Sequence, residues 1–293
     1  MTTVIASRPQ YAAHLEPITA ALGDVDVTLV ASYTDLRTAR LGHKRIVLAQ
    51  HGAGQSYGGD PRSTRNPAYP GGDDNDAVGL FLVPNEHAAA RWRARYPDAT
   101  VAVVGSPRLD TLPRRQIDPT SPHPIVAVSF HWDARISPEA SSAFAWYRRI
   151  LAPLAERYKV IGHGHPRRSD LARVYRTLGI EYVRDFDEVC RRADAYVCDN
   201  SSTLFEFAST GRPVVVLNAP WYRKDVYHGL RFWDAADVGV NVDDPAATLP
   251  AVECALADRE EQRERRERAL SIVYTYRRAA ARRAAEAIRE WAA

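Results

Sequence analysis

Apolar residues fall along this chain in short unbroken runs, separated by stretches with helical spacing. TTVIAS (2–7), VDVTLVA (25–31), RIVLAQ (45–50), GLFLVP (79–84) and TVAVVG (100–105) read as strands. Residues 11–22 and 86–96 read as helices between them. Residues 111–124 carry Pro113, Pro119, Pro122 and Pro124, which marks a linker.

The pattern then restarts. PIVAVSF (124–130), KVIGHG (159–164), EYV (181–183), AYVCD (195–199) and PVVVLN (213–218) read as strands. Helices are expected at 139–158, 169–179, 186–193 and 202–210, and the tail reads as helix over 246–271 and 276–292. Continuous apolar strands alternating with helices imply parallel sheets covered on both faces. The expectation is an α/β chain with two Rossmann-like domains facing each other across a cleft. They are placed at 1–116 and 120–272, with a last helix at 275–293 crossing back to the first domain.

Composition changes this picture little. The 293 residues are 45% hydrophobic and 26% charged, enough for two domains of ordinary balance. The net charge of +3 is short of what would make nucleic acid the expected partner. No apolar window is long enough to span a bilayer, the first residues do not read as a signal peptide, and three cysteines without zinc-like spacing suggest reduced thiols. A cytoplasmic protein is therefore expected. The cations are nearly all arginine, the lysines being Lys44, Lys159 and Lys224. Base composition of the gene accounts for that more simply than phosphate binding does.

In open parallel sheets, ligands bind beyond the carboxyl ends of the strands, so residues there carry the chemistry. The segment 193–218 ends a buried strand at Asp199, and Ser201 and Ser202 then open a helix. A helix start offers unpaired N–H groups and a partial positive charge, suited to a diphosphate. Glu206, four residues after Ser202, is placed to reach a ribose hydroxyl. A plain helix cap explains the same residues about as well. In KVIGHGHPRRSD (159–170), His163 and His165 fall on one side if the chain stays extended, and Arg167 and Arg168 follow; this reads as an anion site. A metal site fits less well, because no carboxylate or cysteine stands at ligand spacing. SFHWDAR (129–135) ends another strand, with Arg135 as a donor-site candidate. Trp132 reads equally as core.

In the first half, RIVLA runs into His51 and Gly52. A histidine where a buried strand ends is not needed for a turn. His51, Gly52 and Gln55 are candidates for an acceptor site. Arg108 and Asp110, in VVGSPRLDTL (103–112), could line the same site or form a structural corner. Residues 52–77 lack apolar periodicity, as a lid over an acceptor would. The tail carries Arg277, Arg278, Arg282 and Arg283; a solvated helix packed through Ile288 and Trp291 is the simpler reading, a basic strip for anionic membrane or nucleic acid the other.

His51-Gly52, then Gly105-Ser106-Pro107-Arg108-Leu109-Asp110, then His165-Pro166, then Asp199-Asn200-Ser201-Ser202 follow one another in an order that resembles the CDP-glycerol glycerophosphotransferase family, the teichoic-acid type of the GT-B superfold. The resemblance implies a GT-B fold and a nucleotide-activated donor such as CDP-glycerol. It implies His51 as the base that takes the acceptor proton, His165 at the donor phosphates, and Ser201 and Ser202 on the diphosphate. No cofactor or metal is then required. The chain is expected to do without the N-terminal membrane-associated segment of many such polymerases, and AGQSYGGD stands where the family has a bulkier stretch after His-Gly.

Other readings stay open. A GT-B glycosyltransferase using a UDP-sugar would share these features, with a small molecule or a modified nucleic-acid base as acceptor. SRPQ near the first strand is faintly similar to UDP-N-acetylglucosamine 2-epimerases, which carry a glycine pair at the Ser201-Ser202 position. A nucleotide-binding module without catalysis would have no need of His51.

Overall fold

The computed structural model describes residues 1–52, 76–114, 123–133, 141–222 and 237–293. The chain divides into two compact units, one of Met1–Thr111 with Ser271–Ala293, the other of Leu112–Leu270. The expected residues Gln55 and Arg135, and nearly all of the expected lid, lie outside the described residues.

The first unit holds a parallel sheet of β1 (Thr3–Ile5), β2 (Thr28–Val30), β3 (Ile46–Ala49), β4 (Val78–Val83) and β5 (Thr100–Val103), in that spatial order. Both faces are covered, which is why its central strands are apolar at every position. On one face, Leu15 and Ile18 of α1 (Pro9–Leu22) and Ala284 and Ile288 of α11 (Ala280–Ala292) pack on Leu29, Val47 and Leu80. On the other, Leu36 of α2 (Tyr33–Ala39) and Ala89 and Trp92 of α3 (Glu86–Arg95) pack on Val30, Leu48 and Phe81. The returning chain is stitched to the end of β4: the Asn85 side-chain amide donates to the Val273 carbonyl at 2.6 Å. Thr275 N–H donates to the Pro84 carbonyl at 3.0 Å.

The second unit holds a six-stranded parallel sheet in the order β11-β10-β9-β6-β7-β8. Its strands are β6 (Ile125–Phe130), β7 (Lys159–Gly164), β8 (Glu181–Tyr182), β9 (Ala195–Cys198), β10 (Val214–Leu217) and β11 (Val240–Val242). The chain builds outward from β6 in one direction through β7 and β8, then in the other through β9, β10 and β11. The strand order therefore reverses between β6 and β9, where the crossover helices leave a crevice at the carboxyl ends.

Several elements differ from expectation for local reasons. Helix α2 has only seven residues, too few to show a period, and it starts because the Ser32 hydroxyl accepts from Asp35 N–H at 3.1 Å. The single helix expected over 139–158 is α4 (Phe144–Tyr147), a 3-10 turn (Arg148–Ile150) and α5 (Leu151–Arg157). Pro153 explains the break, since it has no N–H for the Arg149 carbonyl and its ring crowds that carbonyl. The expected 246–271 helix is interrupted by Asp258 in the left-handed region, φ 38°. Arg266 locks it there by donating to both Asp258 carboxylate oxygens, at 2.8 and 3.2 Å. The result is α9 (Thr248–Ala257) and α10 (Glu260–Val273). No described helix is long and apolar enough to cross a membrane.

Candidate active site

At the switch point of the second unit, register decides which residues meet. Phe130 of β6 lies opposite Gly164 of β7, and Ser129 lies opposite Cys198 of β9. The next residues, His131, His165 and Asp199, therefore leave the sheet side by side. The His131 and His165 rings stand edge to face with centroids 5.1 Å apart, and the Trp132 ring lies 5.8 Å from His165. The Arg167 guanidinium sits over Trp132, 4.4 Å from the ring centre.

The hydrogen bonds of this cluster set the state of its histidine. The Arg167 backbone N–H donates to Nδ1 of His165 at 3.2 Å. Nδ1 then carries a lone pair, so in the neutral ring the proton is on Nε2, which becomes a donor. The two arginines divide. Arg168 is bound by both oxygens of Asp170, at 2.8 Å each, and by Asp133 at 3.3 Å. These carboxylates raise its pKa, and Arg168 in turn holds Asp170 below the usual carboxylate value. Arg167 is exposed, held by an aromatic face instead.

Asp199 is fully buried. One carboxylate oxygen accepts from His131 N–H at 2.8 Å, and the other accepts from the Ser142 hydroxyl and Ala143 N–H, both at 3.0 Å. Three internal donors hold this side chain without solvent contact, so it braces the crevice walls. Ser201 Oγ accepts from the Thr203 hydroxyl at 2.9 Å, and the Thr203 hydroxyl also meets Tyr196 OH at 2.9 Å. Ser202 heads α8 (Thr203–Ala208), and its side chain makes no capping bond. Glu206 is buried one turn into α8.

His163 does not join His165. Its Nδ1–H donates to the Val183 carbonyl at 2.8 Å and its ring packs on Phe186, toward the β8 side. The chain turns at once after β7, with Arg168 N–H donating to the His165 carbonyl at 2.8 Å, so the extended alternation expected for the pair ends there. Burial holds the His163 pKa below the ordinary value.

In the first unit, His51 follows β3, and its Nδ1–H donates to the Ala31 carbonyl at the end of β2. A carbonyl can only accept, so the proton is on Nδ1 and Nε2 carries the lone pair of the neutral ring. Gly52, at φ 77°, makes the left-handed turn that a side chain would resist. Two α1 side chains pack on the His51 ring, Tyr11 at 4.9 Å and His14 at 6.0 Å between centroids. Arg108 is buried in the 3-10 turn Pro107–Asp110, close enough for its charge to act on His14. Asp110 instead caps α11, its carboxylate accepting Ala281 N–H at 2.8 Å. That ties the corner to the C-terminal helix.

Residues 139–289 match the family model described as CDP-Glycerol:Poly(glycerophosphate) glycerophosphotransferase, about half of the chain. The chain belongs to this glycerophosphotransferase family. The matched segment contains His165, Arg167, Ser201 and Ser202, while His51, His131 and Arg108 lie before it. The wall teichoic acid polymerase TagF, in a variant soaked with CDPG, superposes with a TM-score of 0.58 at 13% identity, over 91% of this chain and 72% of that one. The S. aureus MnaA structure with UDP superposes with a TM-score of 0.61 at 14% identity, over 96% and 93%. These likenesses establish a GT-B-type α/β fold. No curated protein matches the chain.

Sequence reasoning passed over His131 and His14. The signal for His131 was present: FHW at a carboxyl strand end is the same pattern that singled out His51. His14 gave none, because a lone histidine on a helix is read by its face, and that face is set by packing.

Proposed function

We propose that this glycerophosphotransferase-family protein transfers glycerol phosphate from CDP-glycerol to an acceptor hydroxyl. The nucleotide half of the reaction is assigned to the second unit and the acceptor half to the first. The observation that carries this reading is the convergence of His131, His165 and the Asp199–Ser202 turn on the switch point of the second sheet. His165 offers an Nε2–H to a phosphate oxygen, Arg167 a nearby fixed cation, and Ser202 a hydroxyl free of any cap. In the proposed step the acceptor oxygen forms a bond to the β-phosphorus. The bond from that phosphorus to the oxygen bridging to CMP breaks, and CMP leaves with the electron pair. The acceptor proton goes to Nε2 of His51. Donors aimed at the departing phosphate lower the barrier by stabilising charge that is absent in the ground state.

The likeness to a UDP-bound structure keeps a uridine donor as the second reading. A thermal-shift panel with CMP, CDP-glycerol, UDP and UDP-sugars separates the two. A ligand at 100 times its Kd stabilises by about 2.7 kcal/mol, a clear shift in midpoint. A cytidine-selective shift followed by CMP release with acceptor supports the proposal. A uridine-selective shift overturns it.

A further inference from the structure

His14 is a buried imidazole for which the fold has no evident use. It lies on α1 with 9% of its surface exposed, between the core residue Leu15 and the helix face that carries Tyr11. Its Nδ1 is buried without a hydrogen-bond partner among the described residues. The large majority of buried side-chain polar atoms have one, and a missing bond costs about 1–3 kcal/mol. A leucine at this position would avoid the cost. The unmade bond occurs where the His14 ring meets the edge of the His51 ring and the Arg108 charge is near.

We infer that His14 is an acceptor-binding residue, whose ring nitrogen hydrogen-bonds the acceptor beside the hydroxyl that His51 deprotonates. The inference rests on the reading of His51 as the base, and adds to it a second histidine with a different duty. Burial, and then the charges of His51 and Arg108, hold His14 well below the ordinary histidine pKa. It therefore stays neutral when His51 takes up a proton, and keeps one lone pair and one N–H to offer. Rotation of an imidazole about χ2 is broad and roughly two-fold, so a half-turn exchanges Nδ1 with a ring carbon. The bound acceptor can in this way select the edge that presents nitrogen.

The test compares His14→Leu, His14→Gln and His51→Ala with the wild type. Unfolding midpoints are measured, along with calorimetric affinity for a short synthetic glycerol-phosphate oligomer and CMP release from CDP-glycerol. His14→Leu is expected to keep or raise the unfolding midpoint, because it removes an unsatisfied buried group. It is expected to weaken the oligomer about 3- to 10-fold, the worth of one uncharged hydrogen bond. His14→Gln, which still offers a donor and an acceptor, is expected to recover part of that affinity. A drop in midpoint in both His14 variants with unchanged oligomer affinity would overturn the inference and make His14 a packing residue. Turnover retained in His51→Ala would sink the base assignment instead, whatever the oligomer affinities show.

Discussion

The carboxylate of Asp199 accepts the backbone N–H of His131 at 2.8 Å, joining the ends of β9 and β6 on either side of the point where the strand order reverses. Its second oxygen holds Ser142 and Ala143, at the entry to α4. One buried charge thus fixes three chain segments around the crevice. It gives His131 its position through the backbone.

Asp199→Ala should leave three donors unpaired and cost about 3 kcal/mol or more in urea unfolding, since each unmade bond to a buried donor is worth about 1–3 kcal/mol. Asp199→Asn keeps the shape but carries an NH₂ that cannot accept, so it should recover only part of the loss. Both variants should bind CMP more weakly. Full stability in Asp199→Ala would show that the network is not what holds the crevice.

His165→Ala should lower kcat/KM for CDP-glycerol about 10²-fold or more, because it removes a donor that strengthens as the phosphate charge grows. The loss should appear mainly in kcat. A rise in KM alone would mean that His165 binds the ground state and the transition state equally.

Stability should fall in mild acid. His14 and His163 both have folded pKa values below the ordinary 6.5, with burial as the first cause. Below about pH 6.5 the unfolded chain therefore binds protons that the folded chain does not. Stability is full above that pH and declines below it, by about 1.4 kcal/mol per pH unit for each histidine still neutral in the fold. Unfolding midpoints from pH 5 to 8 should rise with pH and then level off. The acid slope should be shallower in His14→Leu. An unchanged slope would mean that His14 is already charged in the folded protein.

The three cysteines should react at different rates. Cys198 is buried, and burial pushes its thiol up to about 12, with the Asp199 charge adding to the effect. Cys190 is buried too, and Cys254 is exposed. An aromatic disulfide reagent at pH 8 should titrate one thiol in the native protein and three after unfolding. Rapid reaction of a second thiol would reveal local opening of the second unit.

Much of the architecture was legible along the chain. Short unbroken apolar runs such as IVLA at 46–49 and AYVC at 195–198, bounded by turn signals, fit strands buried on both faces, and their alternation with helices implies parallel order. The placing of candidate chemistry at carboxyl strand ends followed from the same pattern, whereas the left-handed turn at Gly52 became visible only in the fold. Tertiary structure alone decided which residues meet. Gly105 marked a turn by type, yet its need for glycine comes from φ 85° together with the backbone of Tyr276 pressed against it, 171 residues further on. Asp110 reads equally as a ligand or a corner along the chain, and its bond to Ala281 N–H is visible only in the fold. His163 and His165 share a motif but part company, because one turn after β7 sends one ring toward Val183 and the other toward His131. Periodicity is a local property, written in successive side chains. Strand register, helix return and the partner of a buried charge depend on segments far apart in sequence, and only closing the sheets brings those together.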